Sequence, residues 1–177
     1  MEGRFLQASD TAGLRAAAAR AGAEGAAAVF LSEDALGDPI VLAAGLGPLI
    51  PGILLGARIG LDPGGRHPAM LARDLASLDL VCGGRSVLCF APPFTEQLAE
   101  AISVCRALWR WGEARNEGPH FPVHAAANRT RPAEEGSPLV ALDLTAGDQV
   151  PAFLRGAPDL LLRPTPNDPA ACRLERV

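Results

Sequence analysis

ILLGARIGLDPGGRHPAMLARDLASLDLVCGGRSVLCFAPPF, residues 53–94, holds the clearest alternation of elements in the chain. ILLGARIG (53–60) is a short apolar run of strand length, and a loop rich in glycine and proline comes after it. PAMLARDLASLDLV (68–81) then places Leu71, Leu75, Leu78 and Val81 at helical spacing, with Gly83 past the end as a stop. RSVLCFA (85–91) is a second short apolar run, closed by Pro92 and Pro93. Strand, helix, strand at such short intervals predicts parallel pairing with a crossover helix.

The same grammar extends both ways. Upstream, GRFLQ (3–7) reads as a first strand. SDTAGLRAAAARAGAEG is a helix capped by Ser9 or Asp10, and AAAVFLSED (26–34) is a buried strand ending in polar residues. Asp38 and Pro39 open a helix that Gly45, Gly47 and Pro48 must keep short. Downstream, TEQLAEAISVCRALWRW (95–111) repeats Leu98, Ala101, Ile102, Cys105 and Leu108 or Trp109 on one face, with Thr95 as cap. Residues 112–138 lack periodicity and read as a long excursion. LVALDLT (139–145), a short helix at QVPAFLRG and DLLLRP (159–164) complete the pattern, leaving a polar tail at 165–177. The expectation is one α/β domain over 1–164, an incomplete (β/α) TIM-barrel-like fold with about six mainly parallel strands. A full eightfold barrel typically needs ~250 residues, more than the 177 of this chain.

Composition bounds the function. The chain is 49% hydrophobic and 20% charged with a net charge of −4, which suits a folded core and argues against nucleic acid as a partner. Its basic side chains other than histidine are all arginine, and tyrosine is absent, so a catalytic lysine, a phosphate-binding lysine loop and a tyrosine acid are excluded. Cys82, Cys89, Cys105 and Cys172 show no CxxC spacing; the first three read as small core hydrophobes, and Cys172 falls in the tail. His120 and His124 flank a proline and lack a third ligand at useful spacing, so no metal is expected. No signal pattern and no apolar run of membrane-spanning length is visible, which predicts a cytoplasmic protein.

In order, these segments resemble the luciferase-like monooxygenases, which use flavin mononucleotide (FMN) or the deazaflavin F420. LRAAAARAGAEGAAAVFLSED is similar to the family's first helix and second strand. Residues 53–94 resemble its third strand, Arg-His-Pro loop, third helix, Gly-Arg turn and fourth strand. FTEQLAEAISVCRALWRWG resembles the next helix of the family, and EGPHFPVHAAANRTRP the segment that leads to its fifth strand. The resemblance implies a flavin- or F420-dependent oxidoreductase or monooxygenase acting on a small organic substrate. Members run to about twice this length, so the chain reads as a truncated member. The alternative is a catalytically inactive paralogue that binds no cofactor and serves as a dimeric scaffold or as the partner of a full-length paralogue.

Barrel logic puts a cofactor at the C-terminal strand ends. The candidates there are Ser32, Glu33 and Asp34 after the second strand, Ala57, Arg58 and Ile59 in the third, and Cys89 and Ala91 in the fourth. In the family the third strand often bulges behind the ring, and GARIG could do so. Arg58 either faces the N1–C2 edge of a reduced flavin or pairs with Glu33 or Asp34. His67 either approaches the flavin or holds the start of its helix, and the helix-start reading is preferred. Where the family has a glycine-rich turn for phosphate after the fifth strand, this chain has LDLTAGDQ, with Asp143 and Asp148 in the way. Residues 39–55 are apolar around their whole circumference. In the resembled family the second and third helices build a homodimer interface, which implies a homodimer here through the helices around 39–50 and 68–81; a six-stranded sheet would also leave two edges to cover.

Overall fold

A computed structural model describes residues 1–33, 36–61, 66–134 and 138–177. The elements run β1 (Glu2–Leu6), α1 (Thr11–Ala23), β2 (Ala28–Ser32), α2 (Pro39–Leu46), β3 (Leu54–Ile59), α3 (Pro68–Cys82), β4 (Ser86–Phe90) and α4 (Glu96–Trp111). They continue with β5 (Glu113–Asn116), β6 (Val123–Ala127), β7 (Leu139–Asp143), a single 3₁₀ turn (Ala152–Leu154), β8 (Leu160–Thr165) and β9 (Asp168–Arg176). β1, β2, β3, β4, β7 and β8 are the six strands expected, and their neighbours pair in parallel.

The expected tail is instead a strand. β9 runs antiparallel to both β8 and β1 and closes a seven-stranded barrel, so the two open edges inferred from sequence do not exist. Cys172 and Leu174 of β9 point into the barrel, and Arg173 between them is exposed. That period of two makes β9 a strand despite its polar composition. The excursion at 112–138 contains the antiparallel hairpin β5–β6, held to α4 by Glu100, whose carboxylate accepts from the amides of His120 and Phe121 and from Asn116 Nδ2.

Two apolar layers arise from strand alternation. One is the barrel interior, with Ala28, Phe30, Val87, Cys89, Ala141, Leu160, Leu162, Cys172 and Leu174. Phe30 fills much of it because glycines face it. A Cβ on Gly56 would lie 2.1 Å from the Phe30 ring, and one on Gly3 would lie 3.0 Å from it. The other layer lies between barrel and helices, where Leu71, Leu75, Leu78 and Cys82 of α3 meet Leu98, Ile102 and Cys105 of α4. Val81, placed on the buried stripe from sequence, is 55% exposed, and Cys82 takes its place.

The helix ends obey local chemistry. Asp10 caps α1 through the amide of Gly13, Asp38 caps α2 through those of Ile40 and Val41, and His67 Nδ1 accepts from the amide of Ala69 at the start of α3. Gly83 ends α3 in the left-handed region. At the N-terminal end of the barrel, buried Asp79 accepts from the amide and hydroxyl of Ser86 and from the amide of Ala133. Arg85 there donates to the carbonyls of Gly47, Ile50, Ile53 and Cys82. These networks fix the end opposite the strand C-termini, leaving the other end for binding.

Candidate functional site at the barrel mouth

The C-terminal ends of the strands surround a cavity of about 300 Å³, lined by Phe5, Gln7, Ser32, Arg58, Asp143, Thr145, Pro169 and Ala170. This is the small end of the range for ligand sites. Arg58 is the inward-facing residue nearest the end of β3, in register with Cys89 of β4. Its Nε donates to Asp143 Oδ2 at 2.6 Å, and its guanidinium lies 5.9 Å from the centre of the Phe5 ring. Asp143 is 1% exposed and Arg58 about a third exposed, so the carboxylate forms the base of the pair and the guanidinium its accessible top. Asp143 Oδ1 accepts from both the amide and the hydroxyl of Thr145, at 2.9 and 2.5 Å. The terminal nitrogens of Arg58 have no partner among the described residues and remain available to a ligand.

Of the residues singled out from sequence, Ser32 and Arg58 line the cavity. Cys89 lies inside the barrel, fully buried; burial first, and Asp143 second, push its thiol well above the ordinary range, against a smaller opposing effect of Arg58. Ala57 and Ile59 turn their side chains outward into the helix layer, away from the mouth. Glu33 is exposed, and Ala91 donates its amide to the Ile59 carbonyl. Asp34 lies outside the described residues. The bulge imagined in GARIG is absent, since β3 keeps an unbroken register with β2 and β4. Arg58 pairs with Asp143, 85 positions along the chain, and not with the nearby Glu33. His67, besides capping α3, packs edge-on against Phe121 at 5.7 Å.

Phe5, Gln7, Thr145, Pro169 and Ala170 were not foreseen as mouth residues. The first two can be placed from β1 once its inward face is known. Pro169 and Ala170 needed β9, and Thr145 needed the Asp143 turn.

A flavin or deazaflavin can be tested against this cavity in two parts. The ring part meets suitable groups: an aromatic and two small apolar walls, and a restrained cation with free donors. The phosphate part meets a carboxylate, because Asp143 lines the cavity and already takes both donors of Thr145, the residue of the turn after β7 that reaches the wall.

No protein-family model and no curated protein sequence matches the chain. Solved structures do. The F420-dependent tetrahydromethanopterin reductase from Methanopyrus kandleri superposes with a TM-score of 0.71 at 17% identity, covering 91% of this chain and 55% of that one. An F420-dependent secondary alcohol dehydrogenase in complex with an F420–acetone adduct gives 0.69 at 17% identity, covering 91% and 57%. The oxygenating constituent of 3,6-diketocamphane monooxygenase from Pseudomonas putida, in complex with FMN, gives 0.55 at 18%, covering 73% and 44%. The chain thus spans about half the length of these structures and shares their α/β barrel fold.

Proposed function

We propose that this chain is a luciferase-like barrel that binds a flavin- or F420-type ring at its C-terminal mouth and acts as an oxidoreductase or monooxygenase on a small organic substrate. The observation that carries the reading is the restrained Arg58 guanidinium, with free terminal nitrogens, in a cavity at the strand C-termini of a fold shared with F420- and FMN-linked enzymes. A bound ring would supply hydride transfer or oxygen activation. Arg58 would hold positive charge against the electron-rich edge of that ring. Ser32 and Gln7 would offer hydrogen bonds, and Phe5, Pro169 and Ala170 would keep water from one side of it. Glu33 and Ala91 belong to the rim in this reading, and Cys89, Ala57 and Ile59 support it from within the strands.

A second reading, a dimeric scaffold or partner subunit without cofactor, draws on two observations. Asp143 already takes the Thr145 donors, and α2 and α3 expose Val41, Leu80 and Val81, each more than half accessible. The homodimer through 39–50 and 68–81 belongs to both readings. Titration of the purified chain with FMN and with F420, monitored by calorimetry, separates them. Saturable binding supports the enzyme; no binding to a folded protein leaves the scaffold.

A further inference from the structure

We infer that the mouth takes the flavin ring in its phosphate-free form, the riboflavin class, and that Asp143 sets this preference against phosphate-bearing relatives. The inference rests on the ring-binding proposal and narrows its ligand.

An anion site in a βα barrel ordinarily uses free amides at a helix N-terminus, often after the last strands. Here β7 leads to a single 3₁₀ turn and β8 to a hairpin into β9, so neither strand runs into a helix with an N-terminal site. The mouth-side starts of α1 and α2 are closed by the carboxylates of Asp10 and Asp38. α4 carries Glu96 in its first turn and contributes nothing to the cavity wall. Within the cavity, Asp143 holds three donors at once: Arg58 Nε, the Thr145 amide and the Thr145 hydroxyl. Five residues on, Asp148 has a buried Oδ2 with no partner among the described residues, adding negative charge to the same turn. A phosphate dianion in the cavity would meet the Asp143 carboxylate and, for positive charge, only the terminal nitrogens of Arg58. A neutral ring meets those nitrogens and Ser32 without that repulsion.

The test compares riboflavin, FMN and inorganic phosphate as probes on the wild-type chain and on Asp143→Asn, with Asp143→Ser as a second variant; circular dichroism checks folding. Wild type should bind riboflavin at least as tightly as FMN and show no saturable phosphate binding. Removing the charge should shift the affinity ratio toward FMN about tenfold. FMN binding wild type tenfold or more tighter than riboflavin, or an unchanged ratio in both variants, overturns the inference. If no ring compound binds any form, the ring-binding proposal fails by itself, and phosphate decides the role of Asp143. Phosphate binding gained on Asp143→Asn upholds that role, and equal binding or none in both forms refutes it.

Discussion

Nε of Arg58 lies 2.6 Å from Oδ2 of Asp143, joining β3 to β7 across the intervening β4 at the top of the barrel. The carboxylate is buried and the guanidinium reaches the cavity, so the pair serves structure and ligand together. Replacing Arg58 by Met leaves a buried carboxylate with only the Thr145 donors. Stability should fall by about 2 kcal/mol, less than for a fully enclosed pair because Arg58 is partly solvated. Urea unfolding with an unchanged m-value checks this, and a loss under about 0.5 kcal/mol would show the pair to be incidental.

Gly56 exists for Phe30. A Cβ there would overlap the ring, so Gly56→Ala should cost about 1–3 kcal/mol by overpacking. Phe30→Leu in the same chain should return part of that loss. A double-mutant cycle reads the coupling; strictly additive losses would mean the two residues do not compete for space.

The four cysteines are free and buried. Burial pushes Cys105 and Cys172 up to about 12, and a thiol so raised stays protonated in the folded chain. A disulfide-exchange reagent at about pH 8 should therefore react only as fast as the protein opens, and fully in denaturant. The same shift makes stability fall with alkali. The unfolded thiols ionise from about pH 8.5 while the folded ones do not. The contribution is complete below that pH and is lost as pH rises toward 12. Rapid labelling of any one thiol in the native chain would contradict this.

Val41 and Leu80 lie on the outer faces of α2 and α3 and are 69% and 53% exposed. If this face pairs two copies, Val41→Asp with Leu80→Asp should convert a dimer to a monomer without loss of helix content. Sedimentation equilibrium decides it, and a wild-type monomer at tens of micromolar would remove the interface.

What the sequence revealed, and what it hid, has a physical basis. The six parallel strands were legible because strands buried on both faces read as apolar runs, as in AVFLS of β2 and SVLCF of β4. β9 was not, since DPAACRLER alternates apolar and charged residues after two prolines and resembles a solvated tail. Its Cys172, Arg173, Leu174, Glu175 alternation was the available signal. Ser32 and Arg58 could be placed at the mouth from their positions at strand ends. The partner of Arg58 could not, because a nearby acid in sequence is no guide to a pairing made by barrel closure.

The most direct test of the central claim is where a ring binds. Amide resonances of the ¹⁵N-labelled chain, monitored during titration with riboflavin, FMN and F420, should shift at Gln7, Ser32, Arg58 and Thr145 and saturate together. Those of Asp79 and Ser86 at the opposite end should stay fixed. Saturable shifts confined to the outer faces of α2 and α3, or no shifts with any of the three, would contradict a ligand site at the barrel mouth.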